Sequence, residues 1–128
     1  MNNSMEQWHE FVASQNPAAL ASIVDERCVF YSPVVHSPQR GRDLTIMYLT
    51  GAMRVLQDGF RYQKEIVDSE HAVLEFVCDI DGLTVNGVDI ITFNDAGKII
   101  EFKVMVRPLK AINLVHEKMG QMLEQLSA

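Results

Sequence analysis

The stretch from Gly87 to Arg107, GVDIITFNDAGKIIEFKVMVR, leaves the chain few ways to fold. Val, Ile, Phe and Thr fill both arms, and Asn94-Asp95-Ala96-Gly97 breaks them in the middle. Branched and aromatic residues suit a pleated, half-buried surface, and the break carries turn chemistry, so two long strands joined as a hairpin are expected. A lone hairpin is barely stable in water and needs further strands or a helix against its apolar face. Inside the first arm sits one carboxylate, Asp89, flanked by Val88, Ile90 and Ile91. An acid buried there must find a partner or keep its proton, because burial penalises the charged form.

Taken in order, the chain supplies those neighbours. Met5, Trp8 and Val12 repeat at helical spacing, with Phe11 beside them, and predict a first helix over about 5–14, with the polar residues 1–4 loose before it. Asn16-Pro17 restarts a short second helix with Leu20, Ile23 and Val24 on its apolar face, closed by Asp25-Glu26-Arg27. Cys28 to Ser32 reads as a strand ended by Pro33, and Val34 to Arg40 as a loop. Gly41-Arg42-Asp43 opens a third helix, with Leu44, Met47, Gly51 and Val55 on one face and Tyr48 adjoining, and Asp58-Gly59 stops it. Strands are expected at Phe60 to Val67, Ala72 to Ile80, Thr84 to Phe93 and Lys98 to Val106, with short turns suited to antiparallel hairpins. After Pro108, Ile112, Val115, Met119, Met122 and Leu126 form the apolar stripe of a last helix over about 109–126. Helices, then a meander, then a helix imply an α+β fold, with helices packed on one face of a curved antiparallel sheet. At 128 residues the chain is one domain, with a core at 5–107 and a C-terminal helix at 108–128.

Charge and cysteine usage exclude several functions. The net charge is −6 and no basic stripe exists, which argues against nucleic acid as a partner. Cys28 and Cys78 lie in apolar runs and read as buried thiols rather than a disulfide or metal site. The histidines His9, His36, His71 and His116 are scattered, so no metal and no cofactor are expected. No run is long and apolar enough to span a bilayer and none reads as a leader; a cytoplasmic location away from membranes is the expectation.

This order of elements resembles the nuclear transport factor 2-like superfamily, SnoaL-like branch, from Trp8 to about Arg107. The resemblance implies a cone, a bent sheet wrapped around the N-terminal helices with a pocket in the open end, and a homodimer through the convex sheet face. Two stretches are similar to the bacterial ketosteroid isomerases: Val29-Phe30-Tyr31-Ser32-Pro33 with Ser37-Pro38 and Gly41, and Val88-Asp89 with Phe93-Asn94 and Ala96-Gly97-Lys98. In those enzymes a protonated Asp donates to the developing oxyanion, and Asp89 takes its place. Their general base, an Asp just before the proline, corresponds to Ser32, which is no carboxylate base. Their helix-borne Tyr corresponds to Trp8, whose indole N–H donates but cannot share a proton. The limonene epoxide hydrolases carry an Arg and a second Asp where this chain has Gly87 and Val104. The polyketide cyclases use a single acid in an apolar cavity, a requirement Asp89 alone meets.

Strand alternation sorts the lining. With Asp89 inward, Gly87, Ile91 and Phe93 share its face; with Ser32 inward, so do Phe30 and Cys28. Phe102, Val104 and Val106 face in on the last strand, and Leu74, Phe76 and Cys78 on the second. The expected ligand contacts are Trp8, Phe30, Tyr48, Phe76, Ile91, Phe102 and Val104, with Asp89 as acid or oxyanion donor and Ser32 at the base position. A mostly apolar wall with few polar points suits a small, largely apolar molecule. The alternative is a non-catalytic homodimerisation module whose cavity is filled by its own side chains. For Asp89, the competing reading is a structural hydrogen bond to Trp8 Nε1–H or to a hydroxyl.

Overall fold

The structure is a computed structural model and describes residues 2–127. Its elements are α1 (Asn2–Ser14), α2 (Ala18–Ala21), β1 (Val24–Tyr31), β2 (Gln39–Arg40), α3 (Arg42–Val55), β3 (Arg61–Val67), β4 (His71–Ile80), β5 (Leu83–Phe93), β6 (Ile99–Arg107) and α4 (Leu109–Ser127). The six strands form one curved, open sheet in the order β2-β1-β6-β5-β4-β3. β3 to β6 make the expected antiparallel meander, and β1 joins β6 in parallel. The α+β architecture expected from the element order is therefore present, with helices at the start and end of the chain.

The β5–β6 turn is built by Asn94. Its Oδ1 accepts from the Ala96 and Lys98 amides at 3.0 Å each, and Gly97 sits at φ 76°, where a Cβ would be strained. Ser4 Oγ donates to the Gly97 carbonyl, which ties α1 to this turn.

Three boundaries differ from the sequence reading. Helix α1 already begins at Asn2, so the polar residues before Met5 are helical from there on. Helix α2 is a single turn, and Ile23-Val24 leave it: Val24 starts β1 and pairs with Ile99. Two consecutive β-branched residues suit a strand better than a helix end, and the last hairpin offers them a partner. Within the expected loop, Gln39 and Arg40 pair with Phe30 and Val29 as the short edge strand β2.

The core lies between the inner sheet face and the helices. Trp8, Phe11, Leu74, Phe76, Ile91 and Phe102 are all fully buried in it. Alternation holds as expected: Val85, Gly87, Asp89, Ile91 and Phe93 are buried along β5, with partly exposed residues between them. Cys28 and Cys78 are free and buried, and burial pushes each thiol up to about 11, leaving both inert as nucleophiles near neutral pH. Helix α4 lays Ala111, Val115 and Met119 into the core. It meets α3 at Gly51, where an added Cβ would lie 3.4 Å from both Leu126 and Met122. No helix is long and apolar enough to cross a membrane among the described residues.

Candidate functional site

Asp89 is 6% exposed, on the inner face of the sheet. Its cross-strand neighbours are Leu74 on β4 and Val104 on β6, both buried and apolar. One hydroxyl reaches it: Tyr62 Oη donates to Asp89 Oδ2 at 2.8 Å. Tyr62 in turn accepts from Trp8 Nε1–H at 3.0 Å. The indole, the phenol and the carboxyl thus form a directed chain from α1 through β3 to β5. Trp8 does not bond Asp89 directly but acts one step away, and it also packs on Phe102 with ring centroids 5.0 Å apart.

Burial dominates the electrostatics. Loss of water raises the Asp89 carboxyl to about 7, against a smaller downward pull from the Tyr62 hydrogen bond. Burial and the neighbouring carboxylate hold Tyr62 well above its ordinary value, so the phenol keeps its proton. At neutral pH Asp89 is divided between its two forms, and can offer an oxygen a proton donor in one and accept a proton in the other.

Tyr62 is the hydrogen-bond partner of Asp89 that sequence reasoning missed. A bulge between Tyr62 and Lys64 explains why: Tyr62 pairs with Phe76, which faces in, while Lys64 pairs with Glu75 on the outer face. Strict alternation along the polar run RYQKEIV places 62, 64 and 66 together and hides the switch. Opposed residues of an antiparallel pair share a face, so pairing β3 with the inward Phe76 would have exposed Tyr62.

The other predicted site residues divide into two groups. Phe30, Ser32, Tyr48 and Val104 come together around a cavity of about 30 Å³, closed by Val115 and Met119 of α4. That is the scale of a water molecule, not of a ligand. Val104 connects this cavity to the Asp89 position, directly opposite it on β5. Trp8, Phe76, Ile91 and Phe102 are instead packed into the core. Phe76 stacks on Phe60 at 5.1 Å and lies over Gly87, where a Cβ would fall 2.3 Å from its ring. An Arg at position 87 could not be housed beside that ring. Ser32 accepts from the Val34 amide at 3.2 Å, capping the loop after β1. No group of three or more His, Cys, Asp or Glu is placed to hold a metal among the described residues.

Replacing Tyr62 by Phe removes the donor to Asp89 and the acceptor of the Trp8 N–H together. The expected result is a further rise of the Asp89 midpoint above 7 and a loss of about 1–3 kcal/mol for the stranded indole N–H. Titration of the Asp89 carboxyl carbon by NMR checks this; a midpoint unchanged from the parent protein would contradict it.

Residues 5–102 match the family described as SnoaL-like domain. A steroid delta-isomerase from Pseudomonas aeruginosa is 31% identical, with 99% of this chain and 94% of that chain covered and a TM-score of 0.93. A protein with a cystatin-like fold from Silicibacter pomeroyi DSS-3 is 28% identical over 94% of this chain and 85% of its own, with a TM-score of 0.88. A nuclear transport factor 2-like protein of unknown function from Mesorhizobium loti, at 23% identity, covers 84% of this chain and 90% of its own at a TM-score of 0.72, a likeness of fold. No curated protein sequence matches the chain.

Proposed function

We propose, because the chain belongs to the SnoaL-like domain family within the nuclear transport factor 2-like superfamily, that it is a pocket protein for a small, largely apolar molecule bound beside Asp89. The observation that carries this is the Trp8–Tyr62–Asp89 chain in an apolar wall. A neutral carboxyl backed by a phenol can hydrogen-bond a carbonyl oxygen and favour its enol form. Such a pair would polarise a bound carbonyl compound, as the likeness to a steroid delta-isomerase suggests. Ser32 supplies no carboxylate to take the carbon-bound proton, so slow chemistry or binding without turnover is the expectation. Val115 and Met119 of α4 line the small cavity that Val104 shares with this wall.

A second reading, a non-catalytic homodimerisation module with a self-filled cavity, is favoured by that same small interior volume. Both readings include a homodimer through the convex sheet face. That face carries a trough of about 380 Å³ floored by Val73, Val88 and Met105, with Ile66 and Met105 more than half exposed. Lys64 and Arg107 stand at the trough with Glu75, so two copies related by a twofold axis can offset charge across it.

Native mass spectrometry on freshly purified protein tests these readings together. The expected species is a dimer of about 29 kDa, twice the 14.5 kDa chain, carrying extra mass that leaves on denaturation. Asp89→Leu, close in shape but without a polar atom, is expected to shed that mass. A bare dimer would move the conclusion to the second reading, and a bare monomer would overturn both.

A further inference from the structure

A second concavity adjoins the small interior cavity and shares Ser32, Pro33, Val104 and Val106 with it. It is an open groove of about 540 Å³ between the 32–38 loop and β6, large enough for a drug-sized molecule. It exists because β1 ends early: the β1–β6 pairing stops at Tyr31 opposite Lys103, so the next residues of β6 have no strand on that side. Pro33, Val35, Pro38 and the two valines make its walls apolar.

Its charge sets it apart from the rest of the molecule. The chain has 17 acidic and 11 basic residues, yet none of the ten residues lining the groove is acidic, and Lys103 and His36 are among them. Lys103 forms no ion pair among the described residues; its Nζ sits 5.0 Å from the centroid of the Tyr31 ring. That aromatic face orients the ammonium without neutralising it. Ser32 Oγ accepts from the Val34 amide, which leaves its O–H available as a donor.

We infer that this groove is a binding site for a small monocarboxylate with a flat apolar body, the carboxylate on Lys103 and the body against Pro33, Val35 and Val104. The inference goes beyond the Asp89 reading and does not depend on it, since Asp89 and Tyr62 are not part of the groove. An ammonium donating to a carboxylate supplies the polar half of recognition, and exclusion of carboxylates from the lining removes the repulsion an acidic protein otherwise presents.

Titration with naphthoate and its neutral isostere naphthamide, followed by amide NMR, tests it. Naphthoate is expected to shift resonances of the 32–38 loop and of residues 103–106, and to bind about tenfold more tightly than naphthamide. Lys103→Gln is expected to abolish that preference and Lys103→Arg to keep it, while Asp89→Asn leaves it intact. Equal affinity for acid and amide in the parent protein would overturn the inference without recourse to any variant. So would shifts centred on Asp89 and Tyr62, a preference unchanged in Lys103→Gln, or no shifts up to the solubility limit of the acid. A parent dimer that carries no extra mass, with the naphthoate preference intact, would fail only the earlier reading.

Discussion

The stability difference between Asp89→Asn and the parent protein is expected to swing toward the variant by about 4 kcal/mol between roughly pH 4 and pH 8. The sign follows from proton binding. In the unfolded chain the carboxyl ionises near 3.8, and burial beside Leu74 and Val104 raises it to about 7 in the fold. Between those values the folded state holds a proton that the unfolded state has lost, so folding weakens as the pH rises and levels off above 7. Asn does not titrate. It keeps an oxygen for the Tyr62 hydroxyl but brings amide protons that need partners, a pH-independent cost of about 1–3 kcal/mol. The informative quantity is thus the change with pH and not the offset at one pH. Urea unfolding of both proteins across that range measures it, and parallel curves would mean that Asp89 ionises in the fold as freely as in water. The same shift bears on function. A carboxyl that titrates near neutrality can act as donor or acceptor within the range in which proteins work.

Gly87→Ala is expected to cost about 3 kcal/mol or more. The new Cβ would stand 2.3 Å from Phe76 Cζ and 2.8 Å from the Met105 carbonyl oxygen. A ring can tilt, but Phe76 is held by its stack on Phe60, and the carbonyl belongs to the β5–β6 ladder. Relief therefore needs a shift of the sheet beside Asp89. Gly120→Ala is the contrast: nothing lies within 4 Å of that exposed position on α4, and helix propensity predicts a gain of roughly 0.5–1 kcal/mol. Denaturant midpoints of the two variants should move in opposite directions. A Gly87→Ala protein as stable as its parent would show that the ring and strand yield far more easily than their packing implies.

The fold was largely legible because hydrophobic period and turn chemistry agree along most of the chain. β5 alternates cleanly, and the residues placed inward from sequence alone on β4, β5 and β6, from Leu74 and Phe76 to Phe102 and Val104, are buried, although Val77 interrupts the alternation on β4. Asp89 stood out for the same reason, as a charge in an otherwise apolar row. Legibility failed where a local irregularity or a distant partner decided the outcome. The bulge after Tyr62 reverses the face of β3, so the phenol that completes the site was invisible to counting in twos. Ile23 and Val24 read as helix until the last strand supplies Ile99 to pair with. The stripe on α4 announced that something would be covered, but not that Val115 and Met119 would close the interior over Phe30 and Tyr48.

The parallel pairing of β1 with β6 also governs the order in which the molecule can be made. Ile23 and Val24 leave a growing polypeptide early, yet the strand they begin has only the two residues of β2 to pair with until Ile99 and its successors emerge. Closing a loop that long is entropically expensive and comes late in folding. During synthesis β1 therefore keeps one edge unpaired, while the β3–β4–β5 meander can assemble from neighbouring segments. Completion of the sheet is held back until nearly the whole chain exists, and a polypeptide cut short before β6 is left with an open edge on β5 and with β1 orphaned, the surfaces on which chains aggregate.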